Sequence, residues 1–153
     1  MSDLDVYKKI IKNNGLKITK QRLAVIDVLS QSKKEHLKAE EIFNELHQVH
    51  PEFGVATVYR TLHKLYDIGL LDKIRLEDGI ARYELVHSVN PEHPEDRPKH
   101  HHFICSECHT VISFDAQMPR ELHDKLEKNM DCRVDNYEVK VYGLCSECKS
   151  KRK

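Results

Sequence analysis

Apolar positions recur at helical spacing through the first part of the chain and then change to alternation. Val6, Ile10 and Ile11 form one stripe, and Asn13-Asn14-Gly15 predicts its end, because Asn and Gly accept the left-handed backbone that closes a helix. Thr19 predicts the N-cap of a second helix whose buried side carries Leu23, Ile26 and Leu29. Ile42, Phe43, Leu46 and Val49 predict a third helix that stops before Pro51. Val55, Val58, Leu62 and Leu65 predict a fourth, between Gly54 and Gly69. Residues 72–76 and 80–85 read as two short strands joined by Glu77-Asp78-Gly79, a hairpin turn sequence. Helices followed by a two-stranded ribbon predict a winged helix-turn-helix.

The pattern then breaks. Residues 87–98, HSVNPEHPEDRP, hold three prolines and no apolar period, so they read as a hinge in which His87 and His93 are solvated loop residues. Beyond it, Phe103-Ile104 and residues 110–114 predict strands, and Pro119 predicts a helix start followed by Leu122, Leu126 and Met130. Tyr137, Val139 and Val141 predict a strand leading to Gly143. The predicted fold class is α+β: a winged-helix domain over 1–86, the hinge over 87–98, and a small α/β domain over 99–153. So small a unit has little core of its own and leaves sheet edges open, which predicts pairing with a second copy.

The cysteines change this picture most. Cys105 and Cys108 form one C-x2-C and Cys145 and Cys148 a second, both written C-S-E-C. Two such knuckles supply the four thiolates of a structural zinc site and leave no position open for catalysis. Cys132 is left over and reads as a small buried hydrophobe. Residues 99–108, KHHHFICSEC, set three histidines directly against the first knuckle. On a strand, His100 and His102 share a face and His101 points oppositely, which suggests a second metal beside the first.

Charge adds a polarity that the net value of zero hides. Residues 1–24 carry six basic side chains against two acidic ones, while residues 84–98 are acidic. The fourth helix offers Thr57, Tyr59, Arg60, Thr61, His63 and Lys64 on its other face, a set able to hydrogen-bond base edges and phosphates. Lys17 and Lys20 would neutralise phosphates nearby. These features predict binding to double-stranded DNA, at a palindromic operator if the protein is a homodimer. The 153 residues contain no signal peptide and no apolar run near membrane-spanning length, which predicts a soluble, cytoplasmic protein with no membrane partner. Reduced, clustered cysteines agree with that compartment. No nucleophile constellation or separate general base is present, so neither an enzyme nor a small-molecule substrate is expected. A zinc-ribbon interaction module without DNA binding is the alternative from another class.

In order, these motifs are winged helix, hinge, H-x-H-x-x-C-x-x-C, strand–helix–strand and C-x-x-C. The chain resembles the ferric uptake regulator family of metal-sensing repressors from residues 15–22, GLKITKQR, through 54–62, GVATVYRTL, to Cys148. The resemblance implies a dimer that binds its operator when a sensory metal is loaded, with Ala56 to Arg60 in the recognition helix. It also implies a regulatory site of His36, Glu84, His100 and His102. Three imidazoles and a carboxylate suit iron(II), manganese(II), cobalt(II) or zinc(II) better than calcium or magnesium. Many members add an acid where this chain has Ser113, so water or Asp115 would complete the coordination here. A third site in some members meets Lys99 and Tyr137 at two of its places, which leaves His101 with few partners. Glu84 resembles the iron sensors, so iron(II) is the expected regulatory metal. Asp72 resembles the zinc sensors, but Val86 stands where they carry a cysteine. Peroxide sensors differ at Glu84 and Arg60. Zinc- or peroxide-sensing therefore stands as the alternative within the family.

Overall fold

The computed structural model describes residues 2–34, 36–86, 101–114, 117–135 and 137–152. The predicted hinge, with His87 and His93, lies outside them, as do His100 and Asp115. Two compact units divide the chain, Met1–Arg97 and Pro98–Lys153.

The first unit is built on helices α1 (Asp3–Asn13), α2 (Lys20–Gln31), α3 (Ala39–Val49) and α4 (Val55–Asp67). The local signals act where the pattern puts them. Ser2 and Asp5 form a reciprocal cap on α1, and the Thr19 hydroxyl accepts from the Arg22 N–H at 3.3 Å. Strands β2 (Leu71–Arg75) and β3 (Ala81–Leu85) pair antiparallel, with Asp72 opposite Glu84, and β1 (Leu37–Lys38) adds to the outer side of β3. Ile10, Ile11, Val25, Ile26, Ile42, Leu62, Leu65, Leu70 and Leu71 meet in one closed core. Each such aliphatic side chain contributes about 1.5–3 kcal/mol on burial, so the helices are held by packing and only trimmed by their caps.

Three expectations are corrected here. Val49 and Val55 are exposed, since each stands at a helix end, Val49 last in α3 and Val55 first in α4. Thr61, expected on the polar face, is buried: its hydroxyl donates to the Thr57 carbonyl at 2.8 Å, which satisfies it within the helix. Leu23 is half-buried, and Val25 takes the inner position on α2.

The second unit contains β4 (His101–Cys105), β5 (Val111–Phe114), a short helix α5 (Arg120–Asp124), β6 (Lys140–Gly143) and α6 (Ser146–Lys151). Its sheet runs β5-β4-β6, with β4 antiparallel to β5 and parallel to β6. The expected single helix after Pro119 widens into a π-helical turn over Lys125–Asn129, and Leu122 and Met130 are exposed. The expected strand from Tyr137 is regular only from Lys140, although Val139 already accepts a hydrogen bond from His102. Cys132 is exposed rather than buried, because it follows Asp131, whose backbone is left-handed (φ 53°), in a segment outside both sheet and helix. Among the described residues no helix is long and apolar enough to cross a membrane.

The ribbon tip carries its own lock. Gly79 takes a left-handed turn (φ 75°), and the buried Arg82 donates to both carboxylate oxygens of Asp78, at 2.9 and 3.1 Å. The Ile80 N–H donates to the same carboxylate at 2.9 Å, and together these hold Asp78 well below the usual carboxylate range. A carboxylate so lowered stabilises the fold above its unfolded value of about 4, and that contribution is lost as pH falls below it. Asp78→Asn is therefore expected to lower the melting temperature at neutral pH and to matter less below about pH 4. Thermal unfolding of both proteins across that range checks this. An equal difference at every pH would contradict it.

Candidate metal centres and nucleic-acid interface

The four predicted thiols converge. Cys105 closes β4, its N–H donates to the Thr110 carbonyl and its carbonyl accepts from His109, both at 3.0 Å. That tight return sets Cys108 beside it, with His109 in a left-handed conformation (φ 60°). On the other side, Cys145 caps α6 and Cys148 lies in its first turn. The Ser106 N–H donates to the Gly143 carbonyl at 2.8 Å and joins the two knuckles. A side chain at Gly143 would crowd the joint, since its Cβ would stand 3.2 Å from the Phe103 ring.

One sulfur from each cysteine lies within 4.8 Å of the other three, and Cys108 and Cys145 are 3.7 Å apart. A tetrahedron of bonds near 2.3 Å has edges of about 3.8 Å, so the sulfurs stand close to the spacing that zinc requires. Their protons are unevenly held. Backbone N–H groups of Cys108 and Cys145 bring the Cys105 thiol down to about 6, whereas hydrogen bonding with the Cys145 thiol pushes Cys148 up to about 12. Ionising all four together calls for a cation among them. The four-cysteine cluster fits a structural zinc site.

The regulatory candidates fall in both units. In the first, His36 precedes β1 and Glu84 lies on β3; His36 Nε2 and Glu84 Oε2 are 3.1 Å apart, on side chains that are 2% and 13% exposed. A nitrogen and an oxygen donor thus stand together on largely buried side chains, a mixed pair that a divalent cation can use. In the second unit, His102 is buried on β4. His101, expected to have few partners, is wholly buried; its Nδ1 accepts from the Val139 N–H at 3.1 Å and its ring stacks on Tyr137 at 5.0 Å. It is a packing residue of the sheet.

The predicted nucleic-acid face gathers on α2 and α4. Thr19, Gln21 and Arg22 at the start of α2 and Thr57, Arg60, Thr61 and Lys64 on α4 line an open depression of about 250 Å³. Arg60 reaches back to the Thr57 hydroxyl at 3.4 Å, and Arg22 donates to the Lys17 carbonyl. Tyr59 is exposed. Lys20 is steered by Glu52 at 3.1 Å and lies over the Phe53 ring. Sequence reading missed Gln21 and Arg22 as part of this face. They lie two and three residues after the cap Thr19 and line the same depression as Arg60.

Residues 13–142 match the family described as the ferric uptake regulator family. The ferric uptake regulation protein of Neisseria gonorrhoeae is 34% identical over 144 residues, covering 94% of this chain and 93% of that protein. That of Bacillus subtilis (strain 168) is 31% identical over 148 residues, covering 97% and 95%. Among solved structures, the ferric uptake regulator of Helicobacter pylori, described as having three functional metal binding sites, superposes with a TM-score of 0.73 at 27% identity. That match covers 95% of this chain and 91% of the other.

Structural zinc supplies roughly 10–16 kcal/mol of apparent binding energy in small metallodomains. Few apolar side chains are buried in the second unit: Ile104 and Val111 join Cys105 and Cys148 among its described residues. Cys105→Ser is expected to lose zinc and the folded second unit together, and with them any dimer. Elemental analysis with sedimentation checks this, and a zinc-free variant that remained folded and dimeric would contradict it.

Proposed function

Because the chain belongs to the ferric uptake regulator family, we propose that it is an iron(II)-responsive repressor that controls metal uptake from a palindromic operator. At the coarser level it is a metal-responsive, DNA-binding transcription regulator of a family whose members work as dimers and are not enzymes. The observation that carries the finer reading is the His36–Glu84 pair, an imidazole and a carboxylate 3.1 Å apart on buried side chains.

The proposed regulatory ligands are His36, Glu84, His100 and His102, and the proposed structural ligands are Cys105, Cys108, Cys145 and Cys148. A divalent cation, when bound, supplies the Lewis acidity that draws donors from separate segments onto one centre. His36 and Glu84 belong to the proposed winged-helix domain, 1–86. His100 and His102 follow residues 87–98, the proposed hinge, at the start of the proposed dimerisation domain, 99–153. Donors contributed from both sides of that hinge favour one arrangement of the chain over others, and only such a difference can shift DNA affinity. The exposed Leu122, Met130, Val141 and Tyr142 of the second unit support a surface that a second copy covers. The protein is proposed to act in the cytoplasm, where its free cysteines remain reduced.

On the DNA side, Tyr59 and Arg60 are the proposed base contacts, and Lys17, Lys20 and Thr57 the proposed backbone contacts. Arg22 and Lys64 join the backbone set, because they flank Arg60 in the same depression. Asp72, directly opposite Glu84 in the ribbon, favours a second reading. In that reading, which the resemblance of Asp72 to the zinc sensors suggests, zinc(II) is the regulatory metal.

Anaerobic titration of the regulatory site with each metal, read as operator binding, tests the proposal. Iron(II) is expected to raise operator affinity about 5- to 150-fold per site, the ordinary range of allosteric coupling. His36→Ala should keep the structural zinc and lose this response; a response at the wild-type iron(II) concentration would show that the site is misplaced. For the interface, Arg22→Ala and Lys64→Ala should weaken all sequences alike and reduce the salt slope by about one each. Arg60→Ala should cost roughly 1–3 kcal/mol on the operator alone. Equal losses on operator and random DNA would move Arg60 to the backbone class.

A further inference from the structure

The strand order of the second sheet places a carboxylate beside His102 that no sequence pattern announces. In the parallel ladder His102 pairs with Lys140, and its N–H donates to the Val139 carbonyl at 3.0 Å. Lys140 is the first residue of β6, and the Glu138 side chain, two residues before it, reaches the His102 ring. His101 takes the other face, with Tyr137 and the Val139 N–H. On the opposite flank of β4, His102 pairs with Ser113, which offers a hydroxyl in place of an acid. Glu138 Oε1 stands 3.6 Å from His102 Nδ1, and Lys140 Nζ stands 4.0 Å from the same oxygen.

We propose that Glu138 is the positioning carboxylate of His102. From 3.6 Å, longer than a hydrogen bond, its charge favours the ring orientation and tautomer that point Nδ1–H toward it and leave Nε2 as the ligand atom for a divalent cation. This rests on the reading of His102 as a regulatory ligand. The chemistry is that of a neutral imidazole between two different neighbours. Of its two nitrogens one is a donor and one an acceptor, and only the N–H form can face a carboxylate favourably. Selecting that tautomer puts the lone pair on Nε2 and raises its basicity, the service that a carboxylate behind a metal-bound histidine performs. The side-chain exposures agree with the roles. His102 is 8% exposed and Glu138 is 52% exposed, so a surface carboxylate stands beside a buried ring. Glu138 also approaches from the diagonal position beside the β6 partner of His102, and Ser113 lies on the other edge. The second unit thereby regains, from a different strand, a carboxylate at a histidine whose antiparallel neighbour has none.

The test uses the full chain with its structural zinc in place and cobalt(II) as the probe of the regulatory site. Glu138→Ala is expected to weaken cobalt(II) binding about 10- to 100-fold. Glu138→Gln should recover part of that loss, because its amide oxygen still accepts. Nitrogen-15 NMR of histidine-labelled protein before cobalt is added should show His102 as the Nδ1–H tautomer in the wild type and not in Glu138→Ala. The absorption bands of the cobalt-saturated variants should match the wild type, since Glu138 is not a ligand. Unchanged affinity with an unchanged tautomer in Glu138→Ala would overturn the inference, and so would a changed cobalt spectrum in Glu138→Gln. His102→Ala separates the two claims. If it binds cobalt(II) as the wild type does, the reading of His102 as a ligand fails. If it loses cobalt(II) while Glu138→Ala does not, only the role of Glu138 fails.

Discussion

Four thiols crowd within 4.8 Å of one another, and the architecture of residues 98–153 depends on how their charges are reconciled. Alone, they divide unequally, with Cys105 ionising easily and Cys148 hardly at all. A cation at their centre removes that conflict and turns repulsion into a four-way tether. The tether matters beyond its own knuckles, because Cys105 ends the strand on which His102 stands. Fixing one end of a five-residue strand constrains the backbone three residues earlier. A proposed structural ligand, Cys105, and a proposed regulatory ligand, His102, thus stand on the same short element.

The first unit solves a different problem by ordinary means. A closed aliphatic core sets α2, α3 and α4 against the ribbon, so that the outer face of α4 is free for polar work. Small polar contacts then aim the basic groups. Glu52 and Phe53 hold Lys20, the Thr57 hydroxyl holds Arg60, and Arg22 is turned onto a backbone carbonyl. Preorganised cations lose less entropy on meeting phosphate than freely moving ones.

Much of this was legible in the residues. The helical stripes, the Thr19 cap, the Gly79 turn and the paired C-S-E-C knuckles are local patterns with one physical solution each, and the chain adopts it. What escaped depended on longer range. Val49 and Val55 fit their stripes, but a stripe cannot say where the core stops along a helix. Cys132 reads as a hydrophobe in isolation and is exposed because its segment joins neither sheet nor helix. His101 was expected to have few partners; those it has, Tyr137 and the Val139 N–H, come from the segment leading into a strand that pairs in parallel. Parallel register is not written in any local pattern, and Glu138 was missed for the same reason.

The central claim is that regulatory metal and operator DNA favour the same arrangement of this chain. Linkage makes that claim symmetrical: whatever factor the metal adds to DNA affinity, DNA must add to metal affinity. The most direct measurement is therefore the dissociation constant of iron(II) at the regulatory site with and without saturating operator duplex, under anaerobic conditions and at fixed salt. Tightening by the same factor that iron(II) confers on operator binding is the predicted result. An iron(II) affinity unmoved by the operator, beside DNA binding that still responds to iron(II), would contradict it.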